Sequence, residues 1–500
     1  MTRMALFAKK DVSKLLAEAQ GEAGGLRRAL GPVNLVTLGI GAIIGAGIFV
    51  FTGTVAANFA GPAIVLSFIV AGIGCVFAGL CYAEFASMIP IAGSAYTYGY
   101  ATMGEIVAWI IGWALVLEYA FGAAVVAVGW SRYVSSLVGF FGAQLPFNPT
   151  PQFTFSLFGH TFPGQVDVFA LSAIVVITAI LVIGVKESAN FNSAVVLTKV
   201  SVVLIFIGLA IWYAFGHWPQ MTANWHPFIP ANTGHFGSFG WSGIMRGAGV
   251  VFFAYIGFDA VSTAAQEAKN PQKDMPFGIL GSLVICTILY IIVSWLLTGI
   301  KPYTTLNTAA PVADGAQAIG VGWAILVVDI GAIAGLASVM LVMLLGQSRV
   351  LYTMSHDGLL PQWVSRIHAK LRTPYITSIV VGVFVAFLAA LFDINFLVQL
   401  VSLGTLLAFT IVCLGVWVLR NRRPDVPRPF RTPWVPLVPI CGMVISLGMM
   451  FSLTSKAWIA FVSWLVVGLI IYFSYSRRHS TVQLSLAGRT ATADNKVTGD

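Results

Sequence analysis

The sequence predicts an all-α membrane protein of twelve transmembrane helices, on three observations: an apolar composition, apolar blocks about 20 residues long, and basic residues gathered on one side of those blocks. Of 500 residues, 58% are hydrophobic and 9% charged, with a mean hydropathy of +0.89. Soluble domains are roughly one-quarter charged. Blocks of bilayer-crossing length begin near residues 33, 62, 104, 165, 190, 241, 277, 321, 374, 396, 434 and 457. The polar gaps between them are short, so the chain reads as one helix bundle in lipid rather than several soluble domains.

In chain order, residues 1–30 read as a cytoplasmic tail, polar and basic, with a short amphipathic stretch around Leu15 and Leu16. Nothing in them has the shape of a cleaved signal peptide. Residues 31–215 hold five spans, residues 240–420 five more, and residues 434–475 the last two. Residues 476–500 read as a second cytoplasmic tail, because from Ser480 the composition is polar and without apolar period. The third and eighth spans are long, the eighth continuing as helix through Gly346 to Ser355. The five cysteines lie inside apolar blocks without metal-ligand spacing and read as small core residues.

Charge sets the orientation. With both termini cytoplasmic, the inner segments carry 22 of the 27 Lys and Arg residues and the outer loops two, Lys301 and Lys456. Basic residues accumulate on the cytoplasmic side. The net charge of +9 is then an imprint of topology and of anionic lipid contact rather than of nucleic-acid binding.

The first span contains Gly39-Ile-Gly-Ala-Ile-Ile-Gly-Ala-Gly-Ile-Phe49, four glycines in nine positions. Each weakens a helix by roughly 1 kcal/mol relative to alanine. A break there would leave free amides on the outer half-helix and free carbonyls on the inner one, ready partners for a carboxylate and an ammonium. The same glycines, Gly41 and Gly45 in particular, also suit close helix packing. The sixth span has a matching interruption at Val251-Phe-Phe-Ala-Tyr-Ile-Gly257-Phe-Asp259 and runs in the opposite direction. Two broken spans, five apart and antiparallel, are what a five-plus-five inverted repeat produces, with its site at the midplane.

Charged residues inside spans are costly and usually have a partner or a role. Lys199 sits about 14 Å along the fifth span at 1.5 Å per residue, too deep for easy snorkelling. It serves either as a structural cap on carbonyls or in coupling. Glu118 in the third span is either a protonatable group or an ion-pair partner. Asp259 is expected to cap or pair near the break, Arg132 and Arg246 to be structural, and Glu84 and Asp329 are left open. No repeated pore element suggests a channel. No nucleophile–base pair or metal cluster suggests an enzyme, and no i, i+4 histidine pair occurs.

The segments Gly39 to Phe49, Tyr82-Ala-Glu-Phe-Ala-Ser87 with Gly93-Ser-Ala-Tyr-Thr-Tyr98, Phe252 to Thr263, Asn270-Pro-Gln-Lys-Asp-Met-Pro276 and Ser355-His-Asp-Gly-Leu-Leu-Pro361 resemble the bacterial cationic amino acid transporter family. That family belongs to the amino acid, polyamine and organocation superfamily. The resemblance runs over roughly residues 25–478 and implies the leucine transporter fold, with broken helices 1 and 6. It places the substrate carboxylate on amides around Ala46 and Gly47. The ammonium would meet carbonyls of Ile43, Phe253, Ala254 and Ile256, with Phe253 closing the outer side. Gly41, Gly45 and Gly257 are the glycines of the breaks. Lys199 matches a position that proton-coupled relatives fill in place of sodium, near Gly41 and Ser338.

The function expected is secondary active, proton-coupled uptake of neutral or cationic L-amino acids across the plasma membrane. An exchanger or a sodium symporter is the alternative. Expected partners are the amino acid, protons and membrane lipids, in a monomer or weak oligomer, with Lys199, Glu118 and Ser338 expected in proton coupling. No cofactor, metal or nucleic acid is expected.

Overall fold

The computed structural model describes residues 6–10, 30–89, 94–142, 152–157, 160–165, 167–184, 189–368 and 373–485. The amphipathic stretch expected around Leu15, the inner-loop residue Lys186 and the tail beyond Ser485 lie outside the described residues.

Helices follow the apolar blocks closely. The first span is split into α1 (Pro32–Ile43) and α2 (residues 47–60), and α3 (Ile64–Met88) follows after a tight turn at Gly61. A short helix α4 (Ser94–Thr102) lies before α5 (Glu105–Phe140), which has a π-helical turn at Leu117–Phe121. Next come α6 (Val168–Ile183), α7 (Ala189–Asn224), α8 (Gly240–Val251) and α9 (Pro271–Ile300). The chain ends with α10 (Pro311–Ile319), α11 (Gly322–His356), α12 (Tyr375–Leu391), α13 (Ile394–Arg422), α14 (Leu437–Ser452) and α15 (Ser455–Ile471). Among the described residues, eight helical stretches are long and apolar enough to cross a membrane, and four shorter apolar helices accompany them.

One departure from an all-helical chain is a hairpin between α5 and α6. Its strands, Gln152–Leu157 and His160–Gln165, pair antiparallel with Phe155 opposite Phe162. The stretch alternates Phe with Thr and Ser, residues that fit a pleated surface better than a helix.

Packing follows a pattern. The helix α9 lies along both α3 and α1, while α3 also packs on α8; α11 packs on α5, and α12 on α6. Helices α13 and α14 pair with one another, and both also pack on α3.

Within the segment assigned to a tail from residue 476, residues 476–485 pack back on the helices. Glu105, fully buried at the start of α5, accepts hydrogen bonds from Tyr100 (2.8 Å), Tyr472 (3.0 Å), Ser480 (2.5 Å) and Gln483 (3.4 Å). Residues 6–10 are docked beside it, with Glu105 N donating to Ala8 O and Lys10 paired with Asp357. A polar composition hid both contacts, because their anchors lie on distant helix ends.

Candidate functional site

The glycine-rich stretch breaks as its propensities demand. Helix α1 stops at Ile43, with Ile44 in an extended conformation (ψ 103°), and helix resumes around Ala46–Gly47. On the other side α8 tightens into a 3-10 turn over Phe252–Tyr255. Ile256 is then extended (ψ 134°) and Gly257 takes φ +116°, a region open to glycine but strained for other residues. A short helical turn, Ala260–Thr263, follows.

These breaks face each other. A Cβ added to Gly47 would lie 2.2 Å from Ala254 Cα, and one on Gly257 would lie 2.8 Å from Ala42 O. Gly45 packs against Val339 of α11 in the same way, at 3.1 Å. The glycines therefore serve both readings left open by their spacing: they interrupt the helices and let the interrupted segments touch.

Tyr290 of α9 joins the two breaks. Its hydroxyl lies 2.9 Å from both Ile43 O and Ala254 O, two of the carbonyls assigned to the substrate ammonium. Phe253 is buried, with its ring edge-on to Phe51 at 5.6 Å and close to Gly122 of α5.

Lys199, fully buried on α7, sends its ammonium to the end of α1. Nζ donates to Gly41 O at 2.6 Å and to Ile44 O at 3.3 Å. These carbonyls lose their intrahelical partners at the break, and the C-terminal end of a helix favours a cation. Its stem passes Gly335 of α11, where an added Cβ would sit 3.3 Å from Lys199 Cγ. Ser338, one turn further on, donates to Gly335 O within its own helix.

On the cytoplasmic side of the break by the expected orientation, Glu118 of the π-helical turn faces Asp259 and Thr405. Asp259 Oδ2 accepts from Tyr119 at 2.8 Å. Both Glu118 oxygens, Asp259 Oδ1, the hydroxyls of Tyr82 and Tyr98 and the Gln347 amide are buried without a hydrogen-bond partner among the described residues. Buried polar groups are normally satisfied, and each orphan costs about 1–3 kcal/mol.

Three of the remaining in-span charges have structural partners. Arg246 donates to Ser452 O at 3.2 Å and lies over the Phe59 ring, and Asp329 accepts from Ser136 at 3.0 Å. Glu84 binds Arg420 through both oxygens. Sequence reading missed Tyr290, Tyr119 and Gln347. The available signal was a lone polar group within an apolar block, which needs a partner when buried.

Comparison with known proteins gives the family. The family model described as amino acid permease matches residues 30–474. The chain is 44% identical over 475 residues to the methylthioribose transporter of Bacillus subtilis (strain 168), covering 95% of this chain and 98% of that protein. It is 45% identical over 481 residues to the branched-chain amino acid permease BcaP of the same bacterium, with the same two coverages. It is also 40% identical over 405 residues to the vacuolar cationic amino acid transporter 4 of Arabidopsis thaliana, covering 80% of this chain and 64% of that protein.

Proposed function

The chain belongs to the amino acid permease family, a family of multi-pass membrane transporters rather than enzymes, and from that premise we propose that it takes up L-amino acids by proton-coupled alternating access. The observation that carries this reading is the meeting of the two helix breaks, with Gly47 against Ala254 and Tyr290 spanning the Ile43 and Ala254 carbonyls. Main-chain amides around Ala46 and Gly47 receive the carboxylate. Carbonyls of Ile43, Phe253, Ala254 and Ile256 receive the ammonium, and Phe253 closes above.

Twelve membrane helices in a five-plus-five inverted repeat, cytoplasmic termini and the plasma membrane complete the proposal. Support for the repeat comes from packing. Helices five spans apart are partners in α3 with α9, α5 with α11 and α6 with α12, while α1 on α9 is matched by α8 on α3. A pseudo-two-fold axis in the membrane produces those pairs.

Coupling is assigned to Lys199, which occupies with a fixed cation the place where carbonyls of a broken helix would hold sodium. A second cation beside it would be repelled. When charged it ties the end of α1 to α7. Loss of its proton weakens that tie and favours the other access state, the differential interaction that a population shift requires. Glu118, beside Asp259, is the second protonatable group in the path.

Among substrates, neutral aliphatic amino acids are favoured by the apolar surroundings of Phe51, Phe253 and Met343 and by the relative named for branched-chain substrates. The methylthioribose transporter supports a second reading, a neutral thio-sugar. Proteoliposome uptake of labelled leucine, arginine and methylthioribose under an imposed pH gradient, with and without sodium, tests both. Leucine should accumulate with the gradient and without sodium, and Lys199→Ala should abolish the gradient-driven part. Sodium dependence, or accumulation unchanged in Lys199→Ala, would leave Lys199 as a structural cap.

A further inference from the structure

The loop between α13 and α14 is stiff. Residues 423–436 include five prolines, Pro424, Pro427, Pro429, Pro433 and Pro436, each with a fixed φ. Two arginines pin it. Arg428 donates to Val426 O and Arg423 O, both at 2.7 Å, and its Nε lies 3.4 Å from Glu84. Arg420 holds Glu84 at 3.1 and 2.7 Å and Thr432 O at 2.9 Å, while Thr432 N donates to Glu84 at 2.7 Å.

With those two arginines consumed, other cations at this face remain. Arg422 and Arg431 are exposed, and Arg423 shares exposed Asp425 at 3.3 and 3.4 Å. Lys9, from the docked N-terminal segment, lies near Arg422 and Arg423. Partial burial and then repulsion from Arg422 and Arg423 draw its pKa below the usual lysine range. Lys9, Arg422 and Arg431 take part in no ion pair among the described residues. Like charges brought together on a stiff scaffold call for an anion.

Beside these cations the surface turns apolar. Trp434 is 78% exposed and Leu437 58% exposed, at the foot of α14. Trp434 holds φ +45°, a conformation rare outside glycine and maintained by the surrounding loop. An exposed tryptophan near cations that form no ion pair among the described residues, at the end of membrane helices, matches the headgroup level, where aromatic rings sit with one side in lipid.

We propose that Lys9, Arg422, Arg431 and Trp434 form a binding site for an anionic phospholipid of the inner leaflet, with its phosphodiester among the cations and its acyl chain along Trp434 and Leu437. The assignment to the inner leaflet rests on the proposed orientation. A lipid held there tethers residues 6–10 to the foot of α13. The neighbouring Lys10 pairs with Asp357 at the end of α11, so the lipid braces the inner ends of three helices.

The test uses the full-length purified protein in detergent micelles, so it reads binding without reference to orientation. Brominated-chain phosphatidylglycerol or phosphatidylcholine is titrated in, and the emission difference between wild type and Trp434→Phe reports Trp434. Phosphatidylglycerol should quench that component where phosphatidylcholine does not. The Lys9→Gln/Arg422→Gln/Arg431→Gln variant should need about 100-fold more, by loss of three charge contacts. Arg349→Gln/Arg366→Gln should titrate like wild type. Equal quenching by the two lipids, an unchanged titration in the triple variant, or competition by inorganic phosphate would overturn the proposal. Impermeant labelling of the termini tests the orientation separately, and its failure would move the site to the other leaflet while leaving the binding result intact.

Discussion

At the scale of single residues, the breaks depend on the absence of one side chain and the presence of one hydroxyl. A valine at position 47 would thrust its Cβ to within 2.2 Å of Ala254 Cα, which no rotamer relieves. The segments would be driven apart and the amides around Ala46 misaimed. Displacements of about 1 Å can cost roughly 100-fold in a positioned site, so Gly47→Val should abolish measurable uptake while membrane expression persists; normal transport would remove the first break from the site. Tyr290→Phe keeps the ring and loses the hydroxyl shared by Ile43 O and Ala254 O. A buried hydrogen bond is worth about 1 kcal/mol, and leucine uptake should fall roughly five- to tenfold. Unchanged uptake would reduce Tyr290 to packing.

At the scale of elements, the start of α5 and the end of α11 are held by segments that composition alone marks as tails. Glu105 is fully buried and depends on Ser480 and Gln483 as well as on Tyr100 and Tyr472. Gly358 also lies against His479, where an added Cβ would meet its carbonyl oxygen at 2.2 Å. Chains ending after Ser485 and after His479 should differ in melting temperature. The shorter chain loses two donors to a buried carboxylate, about 1.5–3 kcal/mol, and its melting temperature should be lower by roughly 1.5–3 °C. Equal melting temperatures for the two truncations would mean that the segment only rests on the surface.

At the scale of the whole molecule, the division of basic residues predicts that both termini share one side of the membrane with the α13–α14 loop, and that His217 to His235 lie opposite. Single introduced cysteines in intact cells, probed with an impermeant reagent, should react in the segment 217–235 and stay silent near residue 10; the reverse pattern would invert the topology. Four of the five native cysteines are buried and the fifth is partly so, which keeps the background low. The helical blocks, their order and the two interruptions were legible in the sequence, because apolar length and clustered glycines act locally on the chain. Family membership was legible from the motifs. Contacts across long separations were not. Nothing near Tyr290 states that its hydroxyl reaches Ile43 and Ala254, and nothing near Glu105 states that residues 480–483 return to it. Glu118 and Asp259 are 141 positions apart and meet only because α5 packs beside the broken sixth span. Propensity and hydropathy are properties of neighbours along the chain, whereas satisfaction of a buried polar group is a property of neighbours in space. Tertiary structure alone decided that Gly47 lies against Ala254, that Tyr290 reaches both breaks, and that residues 6–10 and 480–485 are drawn onto the same helix ends.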